Sequence, residues 1–287
     1  PSGVRPLEIG VLTNGEKKYV FASESVALDK IGAEPIGEVG KGEAVVVEKS
    51  GMRRNRNFAP RENLPCVFEH VYLGHPCSSQ FESGVSNGLV REEFGRILFR
   101  EKPAEVDLVV PVPDSGNALA MGYSGESGVP IGFALVRSHY VGRTFIEPTQ
   151  SKRDVSVARK FDFDRHLLKD KRIELLDDSI VRGTTLKRLI RSIRDFGVRE
   201  IHVRIGSPPY KHGCYLGIDT PDKKKLIAYS QTEEEIARHI GADSLGFLSQ
   251  EGMLGNKYLT QGNYCTHCFD GVEKIRKSSQ LILAGLD

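Results

Sequence analysis

The sequence has no long apolar run, and this absence excludes a helix that crosses a membrane. Such a helix needs about 18 or more mostly apolar residues in a row, and no stretch of the 287 residues meets that need. No basic segment followed by a short apolar stretch, as in a signal peptide, stands at the front. We therefore expect no membrane partner.

The sequence also has no clear excess of basic or acidic residues, and it has few cysteines. Forty basic residues face 38 acidic ones, so the formal net charge is only +2. Nucleic-acid-binding domains usually carry a clear basic excess, and we expect no nucleic-acid partner. The five cysteines are an odd number without a secretory signal. Reduced thiols or metal ligands are therefore favoured over disulfides, and a cytoplasmic location is expected.

What is present is an alternation of apolar strands and amphipathic helices, which predicts an α/β fold. Strands are predicted at Asp107–Pro113, Pro130–Val136, Arg172–Leu176, Glu200–Ile205 and Leu245–Leu248. Helices are predicted at Gly88–Glu101, Ala118–Ser124, Lys223–Tyr229 and Thr232–Ile240, with another that starts near Thr184 and ends at Gly197. This alternation predicts a mainly parallel sheet with helices on both faces, and ligands bind beyond the C-terminal ends of such strands.

The first 61 residues are predicted to form a separate β-rich unit, followed by a second domain at 62–287. Its predicted elements are strands at Leu7–Leu12, Tyr19–Ala22 and Ala44–Glu48 and a helix at Ser23–Ile31. Met52–Asn63 is polar with four arginines and is predicted to be a linker. Cys66–Gly74 is predicted to be an extended segment that leads into the second domain. So small a unit has too little apolar surface to fold alone.

The stretch Arg172–Thr185 combines features that suit a phosphorylated sugar. A strand ends in Asp177 and Asp178, and Gly183 with two threonine hydroxyls precedes a helix. Exposed N–H groups at a helix start attract anions, while carboxylates accept hydrogen bonds from sugar hydroxyls or hold Mg²⁺ through water. A lone Asp-Asp pair, however, also fits an ordinary strand-to-helix turn with a hydroxyl cap.

Two further segments are expected at the same edge of the sheet. Pro113-Asp-Ser-Gly116 follows a buried strand, where Gly116 lets backbone amides approach an anion closely, although the segment also fits a simple turn. Residues 137–160 are polar and basic, and so long a segment is usually functional or disordered. The loops after Val112, Val136 and Leu176 should therefore surround one pocket.

The cysteines predict a metal site. Cys265-Thr-His-Cys268 places two thiols three positions apart, a spacing used by zinc, iron–sulfur and redox sites. Cys66 and Cys214 could complete a set of four, and the residues alone favour zinc slightly because Cys₄ zinc sites are common. Cys77 is interpreted as a spare thiol.

The string from Leu175 to Thr185 resembles the phosphoribosylpyrophosphate (PRPP) loop of type I phosphoribosyltransferases. Its wording Asp-Asp-Ser-Ile-Val-Arg-Gly-Thr-Thr is similar to that of the glutamine PRPP amidotransferases. The similarity covers essentially the whole chain and is densest from Asp107 to Gly252. It implies the type I phosphoribosyltransferase fold for residues 62–287.

The same resemblance covers the first unit. Pro1–Leu7 and Ala22–Asp29 are similar to the later half of the family's N-terminal-nucleophile glutaminase domain. Residues 1–61 are therefore expected to be the remnant of that domain plus a linker. The family's nucleophile is a cysteine at the mature N-terminus, whereas this chain starts at Pro1 and its first cysteine is Cys66. We expect a fragment that does not hydrolyse glutamine.

The resemblance implies roles for individual residues. Asp177 and Asp178 would bind the ribose hydroxyls and, with Ser115, hold Mg²⁺. The implied PRPP-binding residues are Asp177, Asp178, Ser179, Arg182, Gly183, Thr184, Thr185, Asp114, Ser115 and Gly116. Arg182 fits a phosphate ligand and a merely exposed side chain equally well.

Residues 137–150 resemble the loop that closes over PRPP in this family. Arg137 and Arg143 would neutralise the departing pyrophosphate, and Tyr140 would position the ribose or shield the site. These three are the implied catalytic residues. The family usually has Lys-Asn-Arg where this chain has Arg137-Ser138-His139. Charge is kept at Arg137, but a planar guanidinium does not reproduce the contacts of a lysine.

The resemblance changes the interpretation of the cysteines. One branch of the family carries a structural [4Fe–4S] cluster on four cysteines whose contexts match Cys66, Cys214, Cys265 and Cys268. The cluster is therefore favoured over zinc. Mg²⁺ and this cluster are the two implied cofactors.

The implied activity is that of an amidophosphoribosyltransferase, which displaces pyrophosphate from PRPP with ammonia to form 5-phosphoribosylamine. In the complete enzyme the ammonia comes from glutamine, and the reaction is the first committed step of purine synthesis. The family also implies purine nucleotide inhibitors and a dimer or tetramer. The alternatives are a non-catalytic PRPP-sensing regulator and salvage transfer to a base. The sequence shows no helix-turn-helix pattern for the regulator, and salvage transfer predicts neither cluster nor glutaminase remnant.

Overall fold

The computed structural model describes residues 2–13, 15–56, 62–138, 160–220 and 222–274. The strands are β1 Glu8–Leu12, β2 Lys18–Ala22, β3 Glu34–Glu38, β4 Ala44–Glu48, β5 Gly51–Asn55, β6 Leu108–Pro111, β7 Leu135–Arg137, β8 Phe161–Phe163, β9 Arg172–Asp177, β10 Glu200–Ile205 and β11 Ser244–Phe247. The α-helices are α1 Ser25–Lys30, α2 Asn87–Glu101, α3 Asn117–Ser127, α4 Arg165–Leu168, α5 Thr184–Arg194, α6 Glu233–Ile240, α7 Gln250–Leu254 and α8 His267–Asp270. A π-helical turn spans Glu69–Leu73, and 3₁₀ turns span Lys223–Lys225 and Ile227–Tyr229. None of the helices in these ranges is long and apolar enough to cross a membrane.

A four-stranded parallel sheet forms the centre of the second unit. Its strand order is β11-β10-β9-β6. Side chains alternate between the faces of each strand, so Leu175 and Val110 join one buried core while Leu176 and Val109 join another. Helices α5 and α6 cover the first core, and α2 and α3 cover the second. The predicted α/β fold with helices on both faces is confirmed.

The predicted strand Pro130–Val136 is only partly correct. Ile131 forms a single parallel bridge with Val109, directly before Gly132. A Cβ on Gly132 would lie 2.8 Å from Cδ2 of Leu108. The chain then leaves the parallel sheet, and β7 pairs antiparallel with β8. This hairpin brackets residues 139–159, so the basic segment leaves and returns at one place.

Two predictions about the connecting region are wrong. Residues 52–55 of the predicted linker belong to β5, which pairs antiparallel with β4, and Arg54 and Arg56 of this region reach the carboxylate of Glu43. The predicted extended segment Cys66–Gly74 instead contains the π-helical turn.

Arg91 explains that turn. Its buried guanidinium donates from Nε to the carbonyl oxygen of His70 at 2.8 Å and from Nη2 to that of Gly74 at 2.6 Å. The carbonyl groups at a helix end have no hydrogen-bond partner within the helix. Here a side chain from another helix donates hydrogen bonds to them. This contact joins residues about 20 positions apart, so it could not be predicted from a local sequence pattern.

The first unit is bound to the second by backbone contacts. β1 lies between β2 and β3 in an antiparallel sheet. The amide of Leu64 donates to Ser2 O at 2.8 Å, and that of Cys66 donates to Val4 O at 3.0 Å. Residues 57–61, where the predicted domain boundary lies, are outside the described residues, and the division at 61/62 stays a prediction.

The buried carboxyl of Glu174 leads to a prediction about stability. Burial raises its pKa to about 7, although Nε of Arg204 lies 3.1 Å away and acts in the opposite direction. A pKa raised on folding contributes stability that is complete below the unfolded value, near 4.5, and is lost as the pH rises through about 7. Glu174→Gln imitates the protonated form and should remove this loss.

We expect Glu174→Gln to match the parent chain at pH 4.5 and to exceed it at pH 8 by up to about 3 kcal/mol, from 1.36 kcal/mol per unit of pKa. Urea unfolding of both proteins across this range measures the difference, and other titrating groups cancel in the comparison. Equal stabilities at pH 8 would mean that Arg204 fully compensates for the buried charge.

Candidate active site

The loops that follow β6 and β9 lie side by side. The two strands are parallel neighbours, with Pro111 opposite Leu176. Beyond them, the amide of Val112 donates to Leu176 O at 2.8 Å, and Ser115 Oγ donates to Asp177 Oδ1 at 3.3 Å. The two predicted loops therefore meet through side chains that sequence reasoning selected independently.

Gly116 makes this meeting possible. A Cβ at this position would lie 2.4 Å from Leu176 O and 2.9 Å from Val112 O. Any side chain would therefore collide with the backbone of both strand ends. The amide of Gly116 donates to Val112 O at 2.9 Å, which holds the turn directly before α3.

Asp177 and Asp178 form a strongly interacting acid pair. Asp178 is buried and Asp177 is half-buried. Burial raises the pKa of both carboxyls, and the charge of Asp178 raises the pKa of Asp177 further. Local donors oppose this, since Ser179 Oγ donates to Asp178 Oδ2 at 2.6 Å and the Asp178 amide donates to Asp177 Oδ1 at 3.0 Å. The pair is therefore suited to a cation or to hydroxyl donors.

Next to this pair lies a cavity of about 410 Å³ at the N-terminus of α5. It is lined by Asp177, Ser179, Ile180, Val181, Arg182, Gly183, Thr184, Thr185 and Leu186. Gly183 has a left-handed φ of 72°, and a Cβ on it would lie 2.8 Å from Ile227 Cδ1. The exposed Thr184 and Thr185 begin the helix, where free amides and hydroxyls can bind a phosphate.

A smaller cavity of about 200 Å³ shares Arg182 with the first. It is otherwise lined by Asp219, Thr220, Asp222, Lys225 and Leu226. Arg182 is exposed and faces both cavities, so the two interpretations left open for it are both compatible with its position. Sequence reasoning missed this second cavity, because its other residues carry no motif and lie far along the chain from Arg182.

Of the three predicted catalytic residues, Arg137 is among the described residues. Arg137 Nε lies 3.2 Å from Asp114 Oδ2, and both side chains are exposed. This pair brings the end of β7 to the loop after β6, as predicted. Tyr140 and Arg143 lie outside the described residues.

The four predicted ligand cysteines belong to one region. Cys66 and Cys265 form a parallel bridge, and burial raises the pKa of the Cys66 thiol to about 12 and that of Cys268 higher still. The amides of Lys211 and His212 donate to Cys268 O at 2.9 and 3.0 Å, which brings the segment before Cys214 to Cys268. Cys77 is exposed, which agrees with its interpretation as a spare thiol.

Backbone N–H groups two positions further on act against this rise, since that of Phe68 lowers the pKa of Cys66 and that of His267 lowers the pKa of Cys265. The Leu216 amide lies 3.3 Å from Cys214 Sγ. Such bonds stabilise a thiolate, the form that ligates metals. The chemistry of this donor set therefore fits a thiolate-bound metal or cluster.

The described part of the chain nevertheless has no group of three or more His, Cys, Asp or Glu side chains arranged to hold a metal ion. This applies to the acid pair as well as to the cysteines. Both cofactor assignments therefore stay predictions that rest on the donor atoms present.

Residues 90–229 match the family described as "Phosphoribosyl transferase domain". The chain contains a phosphoribosyl transferase domain. This domain includes the acid pair, both cavities and the loop after β6, and its type I fold agrees with the parallel sheet.

The region outside the domain has relatives too. The chain is 42% identical over 290 residues to the amidophosphoribosyltransferase of Synechococcus elongatus. The aligned region covers 98% of this chain and 58% of that protein. It is 45% identical over 276 residues to that of Mycobacterium tuberculosis, covering 94% of this chain and 51% of the relative. The chain thus spans about half the length of the curated relatives that it matches.

Solved structures show the same relationship. The glutamine PRPP amidotransferase of B. subtilis, complexed with ADP and GMP, superposes with a TM-score of 0.85 at 41% identity. The superposed region covers 96% of this chain and 60% of the B. subtilis chain. A structure described as the allosteric regulatory enzyme of purine biosynthesis gives a TM-score of 0.86 at 40% identity. The phosphoribosyl transferase domain and the β-rich unit therefore occur together in these proteins.

Proposed function

We propose that the chain catalyses amidophosphoribosyl transfer from PRPP, as its relatives' names indicate for them. The observation that carries this proposal is the Ser115–Asp177 hydrogen bond at 3.3 Å. It joins the loop after β6 to the acid pair, beside a helix N-terminus suited to a phosphate. One pocket can thus contact the phosphate, the ribose and the pyrophosphate of one molecule.

The proposed reaction breaks the bond between ribose C1 and the pyrophosphate oxygen and forms a bond from C1 to the ammonia nitrogen. The nitrogen then loses a proton, and pyrophosphate departs with the electron pair of the broken bond. No residue becomes covalently attached. The chain must hold the sugar in position, balance the charge that develops on pyrophosphate and exclude water.

Each part of the pocket has a proposed task. The α5 N-terminus with Thr184 and Thr185 binds the 5′-phosphate, and Asp177 and Asp178 bind the ribose hydroxyls. Gly116 brings backbone amides to the pyrophosphate, and Arg137, next to Asp114, neutralises it. We further propose that Tyr140 of the segment between β7 and β8 shields the site and that Arg143 of this segment neutralises charge on the pyrophosphate.

Two cofactors belong to the proposal. Asp177, Asp178 and Ser115 would hold Mg²⁺, whose charge would assist the departure of pyrophosphate. Cys66, Cys214, Cys265 and Cys268 would hold a [4Fe–4S] cluster, with zinc as the alternative occupant. The cluster would be structural and would join the C-terminal segment to the phosphoribosyl transferase domain.

The remaining proposals follow the relatives. Purine nucleotides are proposed inhibitors, because the B. subtilis relative is described in complex with ADP and GMP. Ammonia is proposed to come from glutamine in a complete enzyme, and the protein is proposed to be a cytoplasmic dimer or tetramer. Residues 1–61 are proposed to belong to a glutaminase domain.

The test of the reaction uses the chain purified without oxygen. We expect pyrophosphate release when PRPP, Mg²⁺ and ammonium are supplied at alkaline pH, where ammonia is unprotonated. Omitting ammonium should suppress the release. A folded chain that binds PRPP without releasing pyrophosphate would contradict the proposal and favour the PRPP-sensing regulator.

The test of the cysteine site is metal analysis of the same preparation. A [4Fe–4S] cluster predicts broad visible absorbance and about four iron atoms per chain. Cys268→Ser should lose both, and Cys77→Ser should retain them because that thiol is exposed and apart. One zinc per chain without visible absorbance would replace the cluster by zinc.

A further inference from the structure

A buried hydroxyl connects the cysteine region to the smaller cavity. Thr220 is only 8% exposed. Its Oγ1 lies 2.7 Å from the hydroxyl of Tyr210 and accepts a hydrogen bond from the amide of Cys214 at 3.1 Å. Thr220 is also part of the wall of the smaller cavity. The side chain of Thr220 therefore contacts the backbone of Cys214, a proposed metal ligand, and also lines a cavity.

The partner of this hydroxyl is held firmly on the cysteine side. Tyr210 is 1% exposed, and its ring packs edge-to-face on Phe68 at 5.6 Å and on Phe269 at 6.2 Å between centroids. Phe68 follows Cys66 by two positions, and Phe269 follows Cys268 directly. Tyr210 therefore sits in an aromatic cluster whose members are carried by the cysteine-bearing segments.

Thr220 and Arg182 both line the smaller cavity. Arg182 also lines the larger cavity, where the 5′-phosphate is proposed to bind. The amide of Ile227, which follows Leu226 of this wall, donates to the carbonyl oxygen of Val181, which precedes Arg182, at 3.0 Å. A displacement of the wall at Thr220 would therefore alter the space available to Arg182.

We propose that Thr220 is a positioning residue that transmits the state of the cysteine site to the PRPP pocket. With the thiols bound to their metal or cluster, Cys214 and Tyr210 are fixed, and Thr220 holds the wall beside Arg182. Without it, Cys214 and its amide are released and the wall loosens. This inference rests on the proposed cysteine site and deepens the proposed function.

The test compares Thr220→Val, which keeps the shape but removes the hydroxyl, with Thr220→Ser, which keeps the hydroxyl. Each variant and the parent chain are studied as purified and after chelation of the metal. The measurements are amide hydrogen exchange of the peptide 214–220 and equilibrium PRPP binding. Neither measurement requires turnover, so a failure of the proposed reaction leaves the test intact.

In the parent chain and in Thr220→Ser, we expect metal removal to speed exchange of 214–220 and to weaken PRPP binding about tenfold, the low end of the effects of outer-shell contacts. In Thr220→Val these changes should already be present with metal bound, and chelation should add less than about twofold, the non-additivity of a shared path. Strand β10, which lines neither cavity, serves as the internal reference and should exchange equally in all samples.

Three results would overturn the proposal. Thr220→Val could respond to chelation as fully as the parent chain, which would make the two effects independent. Thr220→Val could bind PRPP as the parent does while metal is present. A chain that holds no metal as purified would remove the premise, even if pyrophosphate release supports the proposed reaction.

Discussion

Asp178→Asn is expected to lower PRPP-dependent pyrophosphate release by at least about a hundredfold, the scale on which preorganised electrostatic groups act. The amide keeps the volume of the side chain and can still accept the hydrogen bond from Ser179. It removes the charge that would bind ribose hydroxyls and assist Mg²⁺. The rate is measured with saturating ammonium over a range of PRPP concentrations.

Stability should respond in the opposite direction. Burial and the neighbouring carboxyl raise the pKa of these acids, which means that the fold disfavours two ionised groups here. Removing one charge should leave the thermal midpoint unchanged or raise it. Lost activity with an intact fold would support the assignment, and retained turnover would show that the ribose site is elsewhere.

A matched control lies in the same strand. Glu174→Gln makes the same chemical change in β9, three residues before the acid pair, at a fully buried carboxyl remote from the cavity wall. It should retain turnover while changing the pH dependence of stability. If Glu174→Gln lost activity as severely, a general effect of altering β9 would explain both variants.

Gly116→Ala is expected to remove activity and to destabilise the chain by about 3 kcal/mol, the upper part of the usual cost of overpacking. The new methyl group would lie 2.4 Å from Leu176 O. Backbone carbonyls at a strand end cannot turn aside as a flexible side chain can. The loop after β6 must therefore move, and Ser115 would be withdrawn from Asp177.

Gly125→Ala is the control for this substitution. Gly125 lies in α3, nine residues further along, and a Cβ there would meet no atom within 4 Å. Alanine in an open helix position should stabilise by about 0.5–1 kcal/mol. Urea unfolding should thus give shifts of opposite sign for the two glycines. Similar losses in both would contradict the explanation by close approach at Gly116.

The parts predicted well are those that local patterns specify. The apolar runs at Arg172–Leu176 and Glu200–Ile205 are strands, and Leu186, Leu189, Ile190 and Ile193 are buried on one face of α5. Because parallel strands align their carboxyl ends, the sequence also predicted that the loops after β6 and β9 would meet. The hydrogen bond from Ser115 to Asp177 is the direct result.

The misses share a different cause. The π-helical turn at Glu69–Leu73 depends on Arg91, a buried donor from α2. The departure of residues 132–137 from the parallel sheet depends on pairing with β8, which follows after residues 139–159. Such contacts between distant segments outweigh local propensity. They cannot be predicted from a short stretch of sequence.

The sequence by itself determined the α/β class and the strand-loop-helix form of residues 172–194, because each depends on residue spacing or on neighbours along the chain. Tertiary structure alone decided where the chain leaves the parallel sheet after Ile131, that Asp178 is buried and Asp177 half-buried, and that Thr220 lies between Cys214 and a cavity beside Arg182. Distances and burial arise from packing remote segments together, and those are the quantities that control charge and positioning at this site.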